Sequence, residues 1–197
     1  MSKTILITGG SRGIGAATAR LAGKRGWSVG VNYAGNAEAA AETVRAVEAA
    51  GGRAIAIKGN VAEEADVIAM FDQTEKAFGP LGGVFNNAGI VRLGAKIADM
   101  EAAVTRRLFD VNVFGAFLVA REAARRMSKS RSGTGGSLVN MSSAAARLGG
   151  PNELVDYAAS KGAIDAMTVG LSKELAPEGI RVNAIRPGLI DTEIHND

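Results

Sequence analysis

The 197-residue chain is 47% hydrophobic and 22% charged, the balance of a globular domain with room for one real core, and its formal charge is only +3. It has no cysteine, which excludes a disulfide framework, a thiolate metal site and a cysteine nucleophile; its single histidine, His195, excludes a histidine triad or cluster, so no metal is expected. No uncharged run reaches the roughly eighteen residues that cross a bilayer, so we expect no membrane partner and a cytoplasmic protein.

Short β-branched runs alternate with alanine-rich helical patterns from end to end, which implies a parallel sheet. Strands are predicted at 3–8, 28–33, 53–58, 82–86, 136–141 and 180–185, with helices at 13–25, 37–50, 63–78, 100–129 and 155–176. No repeat or linker divides them, so residues 1–197 are expected to form one α/β domain. Right-handed crossovers give a Rossmann-like doubly wound sheet of order 3-2-1-4-5-6, with ligands beyond the strand C-termini between strands 1 and 4.

The first strand runs into "TGGSRGIG" at 8–15, where a glycine turn opens the first helix. Backbone N–H groups and the positive helix end can there face a phosphate. No Gly-Lys-Ser/Thr follows, so it is not a Walker loop, and Gly9, Gly13 and Gly15 are spaced as T-G-x-x-x-G-x-G. The second strand ends in "VNYAGN" without the acid that would bind a ribose 2′-OH, while Arg12 sits in the loop where a guanidinium could meet a 2′-phosphate. That pattern favours NADP(H), with NAD(H) possible. In the third helix Val67, Met70, Phe71, Thr74 and Phe78 recur on one face that can pack on the sheet.

The long fourth helix ends in Arg121, Arg125, Arg126, Lys129 and Arg131. Without interleaved aromatics, and with cations favoured at a helix C-terminus, this reads as a solvated helix end, not a nucleic-acid site. Further chemistry follows in order: "NNAG" at 86–89 after strand 4, Asn112 within "LFDVNVFGAFLVA", "LVNMSS" ending strand 5, and Tyr157 and Lys161 four apart on one helix face. From the residues alone either Ser142 or Ser143 could terminate strand 5.

These motifs, together with "PGLIDT" at 187–192, make the whole chain resemble the short-chain dehydrogenase/reductase family. The resemblance implies Tyr157 as acid/base, Lys161 as its partner and ribose ligand, Ser143 as donor to the substrate oxygen and Asn112 as anchor of a water leading to Lys161. It implies cofactor contacts from Gly9, Ser11, Arg12, Gly13, Ile14, Gly15, Tyr33, Asn60, Val61, Asn87, Ala88, Gly89, Tyr157, Lys161, Pro187, Gly188, Ile190 and Thr192. Asn60 stands where the family commonly has an acid on adenine, and the Ser143–Tyr157 gap is one residue longer than usual. After "PGLIDTEIHND" the family continues with a substrate-covering segment, another helix and a seventh strand, so we expect the strand at 180–185 to be a bare edge and the seventh strand to be missing.

The expected function is an NADP-preferring oxidoreductase that interconverts a small-molecule carbonyl and an alcohol by hydride transfer. A non-catalytic nucleotide-binding module, an inactive fragment of such an enzyme, and a lyase or epimerase on the same fold are the alternatives. Helices 100–129 and 155–176 are expected to form a homodimer, with Ala102, Leu108, Ala163, Met167 and Leu171 able to serve core or interface.

Overall fold

The computed structural model describes residues 2–92 and 94–191. Its elements in chain order are β1 (Thr4–Ile7), α1 (Gly13–Lys24), β2 (Ser28–Tyr33), α2 (Ala37–Ala49), β3 (Arg53–Lys58), α3 (Glu64–Phe78), β4 (Gly83–Asn86), α4 (Ala102–Phe109), α5 (Ala116–Met127), β5 (Gly136–Met141), α6 (Ala145–Leu148), α7 (Val155–Glu174) and β6 (Ile180–Ile185). The strands pair in parallel in the order β3-β2-β1-β4-β5-β6, as the alternating pattern predicts.

Side chains alternate across each strand, so neighbouring residues feed different layers. The registered row Leu6, Val84, Leu138 and Val182 packs with Val67, Met70 and Phe71 of α3, Val119 of α5 and Ile164 of α7. One residue further on, Ile7 and Phe85 face the opposite layer with Ala19 of α1 and Val47 of α2. Each large apolar side chain buried in this way contributes about 2 kcal/mol, and both faces of the sheet are covered. Among the described residues β6 pairs with β5 alone, and β6 and β3 are the outer strands of the sheet.

The helix predicted at 100–129 is not continuous. Between α4 and α5 lies a π-helical segment, Asp110–Gly115, and after Met127 a 3-10 turn covers Lys129–Arg131. The widened turn holds Asn112 inward and brings Gly115 against Val61, where a Cβ would approach the Val61 backbone to 3.0 Å. A 3.6-residue hydrophobic period cannot reveal such a bulge.

The arginine cluster also differs from a simple solvated end. Arg121 pairs with Glu64, and Arg126 reaches both Asp72 and Glu75 at 2.8 Å, so α5 is tied to α3 through ion pairs. Arg125 pairs with the buried Glu122 at 2.9 Å.

A short helix, α6, lies outside the elements that the sequence predicts. Its residues, "AARL", are good helix formers, and Gly149 ends it in the left-handed region at φ 76°.

Candidate active site

A cleft of about 570 Å³ opens beyond the C-terminal ends of the strands. Gly9, Ser11, Arg12, Gly13, Ile14 and Gly15 line it from the first turn, Tyr33 from the end of β2, Asn60 and Val61 from beyond β3, and Asn87, Ala88 and Gly89 from beyond β4. Ser143, Tyr157, Lys161, Pro187, Gly188 and Ile190 complete the expected set. Thr192 lies outside the described residues, and Asn112 is buried behind the cleft wall.

The glycine turn is stitched to its neighbours by backbone and amide groups. Asn87 donates both amide hydrogens, to the Thr8 carbonyl at 2.9 Å and the Gly9 carbonyl at 3.0 Å. Thr8 Oγ1 in turn accepts from the N–H groups of Asn87 and Ala88, and Gly9 N–H donates to Asn32 Oδ1 at 3.1 Å. At Gly15 a Cβ would lie 2.3 Å from the Gly9 carbonyl oxygen, so no other residue fits there.

α1 starts at Gly13 with no side-chain cap and no acid in its first turn. Its unpaired amides and positive dipole end therefore face the cleft, which suits the pyrophosphate of a dinucleotide.

On the opposite wall Tyr157 and Ser143 line the cleft together, with the Ser143 hydroxyl near enough to the phenol to act on its proton affinity. Ser143 Oγ also accepts from Ala145 N–H at 3.1 Å. Ser142 is buried with its hydroxyl donating to the Lys161 carbonyl at 3.3 Å, which leaves Ser143 as the more accessible serine at the cleft. Burial pushes the Tyr157 phenol above its ordinary range, against the lowering effect of Ser143.

Lys161 lies one helical turn along α7 and is 3% exposed, with Nζ donating to the Met141 carbonyl at 2.8 Å and lying 5.6 Å from the Tyr157 ring centroid. Desolvation pulls its ammonium down to about 8.

Asn112 is fully engaged. Its Oδ1 accepts from Ile90 N–H and its Nδ2 donates to the Ile90 carbonyl, both at 2.8 Å, and to Ser160 Oγ at 3.2 Å. A Cβ on Gly89 would lie 3.3 Å from Asn112 Oδ1 and 3.4 Å from Lys161 Nζ, so both side chains border the space that this glycine leaves open.

Three further polar residues support the site without standing out in the sequence motifs. Thr8 was seen only as the start of the glycine motif, and Asn32 only as part of a strand end, although its amide supports Gly9 and donates to the Gly59 carbonyl at 2.9 Å. Ser160 sits inside the Tyr157–Lys161 spacing and could have been suspected from its place there. Its hydroxyl donates to the Tyr157 carbonyl at 2.7 Å and accepts from Asn112.

A family model described as short chain dehydrogenase matches residues 3–197. An uncharacterized oxidoreductase, YgfF, of Escherichia coli K12 is 48% identical over 190 residues, covering 96% of this chain and 77% of its own. Glucose 1-dehydrogenase 2 of Bacillus subtilis is 38% identical over 99% of this chain and 74% of its own. The crystal structure of a short chain dehydrogenase from Burkholderia cenocepacia in complex with NADP superposes with a TM-score of 0.90 at 36% identity, covering 98% of this chain and 77% of that one. With the same sheet order, glycine turn and Tyr157–Lys161 helix in place, the chain belongs to the short-chain dehydrogenase/reductase family of NAD(P)-dependent oxidoreductases.

Proposed function

We propose that this oxidoreductase interconverts a ketone or aldehyde with the corresponding alcohol and prefers NADP(H) to NAD(H). The observation that carries the reading is the Ser143 and Tyr157 pair on one wall of a cleft whose other wall is the glycine turn, with Lys161 buried one helical turn away. A bound nicotinamide supplies or accepts the hydride.

Tyr157 holds the proton. Burial keeps its phenol protonated at neutral pH, so it is ready to donate to the oxygen of a carbonyl being reduced. Ser143 can hold the same oxygen through its hydroxyl. In the oxidative direction Tyr157 must accept a proton, and the Ser143 hydroxyl and the Lys161 ammonium both favour the phenolate. Met141 fixes that ammonium through its carbonyl, while Asn112 fixes Ile90 beside it and is the family's water anchor by resemblance.

The cofactor preference is supported by charge. Among the described residues no Asp or Glu lines the cleft, β2 ends in Tyr33 followed by Ala34, Gly35 and Asn36, and Arg12 stands at the opening of α1. A 2′-phosphate would there meet a guanidinium that can bind it in bidentate fashion.

The homodimer through α4, α5 and α7 is supported by the apolar residues that these helices leave outside the core. Leu108 and Met167 are buried in the core of the chain itself, whereas Phe114, Phe117 and Val169 remain about half exposed. Gly162 and Gly170 leave open space beside α7 for a second helix.

The test is NADPH consumption with a panel of ketones and aldehydes, comparing the protein with Tyr157→Phe. Turnover should fall by a factor of about 10² to 10⁴ while NADPH affinity stays nearly constant, because only the phenolic proton is lost. Undiminished turnover in the variant would refute the role of Tyr157; tight NADPH binding with no turnover of any carbonyl would refute the reaction.

A further inference from the structure

We infer that Thr43, a residue of α2 that does not line the cleft, is a positioning residue for cofactor choice: it holds the Ser11–Arg12 peptide so that the Arg12 guanidinium meets a 2′-phosphate. This rests on, and deepens, the NADP(H) preference proposed above.

α2 packs into the protein through Ala40, Thr43 and Val47, which form one helical stripe and are all buried. Two of the three are apolar, and a valine would fill the middle position with nearly the same shape. The hydroxyl there therefore needs a partner. Thr18, Thr74 and Thr168 each turn theirs back onto their own helix, donating to the carbonyl four residues earlier at 2.8, 2.7 and 2.8 Å. Thr43 instead reaches out of its helix and donates to the Ser11 carbonyl at 3.1 Å. α2 is held close to α1 at this contact, since a Cβ on Gly23 would lie 2.6 Å from Val47 Cγ1.

The bond fixes more than one carbonyl. The Ser11–Arg12 peptide is trans and planar, so holding its oxygen holds the Arg12 N–H on the opposite side. Arg12 is anchored at its other end too, where its carbonyl accepts from Ala16 N–H at 3.1 Å in the first turn of α1. Between these anchors its backbone is extended, with φ −148° and ψ 172°, which sets the direction in which its side chain leaves. The rest of the turn has other supports. Gly9 N–H donates to the Asn32 side chain, the Gly9 carbonyl accepts from Asn87, and Gly10 N–H donates to the Asn32 carbonyl at 2.8 Å. Loss of the Thr43 hydroxyl thus falls on Arg12 and leaves the backbone that faces the pyrophosphate in place.

Thr43→Val should weaken NADPH by about fivefold, the contribution of one hydrogen bond, and NADH by less than about twofold in fluorescence titrations. Thr43→Ser, which keeps the hydroxyl, should hold both affinities near those of the parent. In an Arg12→Ala background Thr43→Val should have no further effect on NADPH, because the group it positions is gone. If valine at 43 prevents folding, Thr43→Ala against Thr43→Ser decides on the same terms, since those two side chains differ by one hydroxyl. An unchanged NADPH affinity, or equal losses for the two cofactors, overturns the inference and leaves the role of Arg12 intact. An Arg12→Ala protein that loses both cofactors equally overturns the NADP(H) reading itself, and the inference with it.

Discussion

Replacing Lys161 by methionine should make the ligand-free protein more stable and, in the same step, inactive. Lys161 is almost completely buried, and desolvation pulls its ammonium from 10.5 to about 8. Below pH 8 the amine is charged in both folded and unfolded chains, so the folded state carries the whole desolvation cost. Between pH 8 and 10.5 the folded chain sheds the proton and the unfolded chain keeps it, so stability rises with pH by about 1.4 kcal/mol per unit, or about 3 kcal/mol in all. Methionine has a similar unbranched length and no charge, but it leaves the Met141 carbonyl without its 2.8 Å donor, a loss of about 1 kcal/mol. The net gain at pH 7 is about 2 kcal/mol, which moves the urea midpoint up by about 1 M for a slope of about 2 kcal/mol/M. Urea unfolding of both proteins at pH 7 and pH 9 checks this, since the difference between them cancels the other titrating groups. The gap should shrink by about 1.4 kcal/mol at the higher pH. A variant less stable than the parent at pH 7, or a gap that ignores pH, would refute the account of Lys161 as a buried charge held at a stability cost for function.

Arg12→Ala should weaken NADPH by about 10- to 100-fold and NADH far less, because only NADPH offers a 2′-phosphate for a charge-assisted bond; equal losses in fluorescence titrations with the two cofactors would remove Arg12 from the discrimination. Gly15→Ala puts a Cβ 2.3 Å from the Gly9 carbonyl oxygen and 2.8 Å from Asn87 Nδ2, so it should destabilise the chain by about 1–3 kcal/mol and abolish cofactor binding; native affinity in a titration would show that the turn is more pliable than it looks. Phe117→Glu should convert the proposed dimer to a monomer in sedimentation velocity with the helical circular dichroism retained, since Phe117 is half exposed; a parent protein that sediments as a monomer would disprove the interface.

What the sequence by itself determined is whatever depends on spacing along the chain. Strand and helix periods differ, so the alternation of "TILI", "SVGVNY" and "RAIAIK" with alanine-rich helices is enough to define a parallel sheet, and all six strands fall within a residue of their predicted bounds. Tyr157 and Lys161 share a face because a helix turns every 3.6 residues, and the glycine spacing at 9, 13 and 15 marks where backbone must approach backbone. Partners distant in sequence were another matter. Ser142 and Ser143 are adjacent and chemically identical, and only the phase of the pleat at the end of β5 turns the first toward the Lys161 backbone and the second toward Tyr157. Asn112 finds Ile90 and Ser160 across 22 and 48 residues through a π-helical turn that no hydrophobic period encodes. Leu108 and Met167 enter the core while Phe114, Phe117 and Val169 stay outside because the angle at which each helix docks decides which part of its apolar stripe meets the sheet. The lowered proton affinity of Lys161 has the same origin, since desolvation is set by every element packed around the amine and by none of its neighbours in the chain alone.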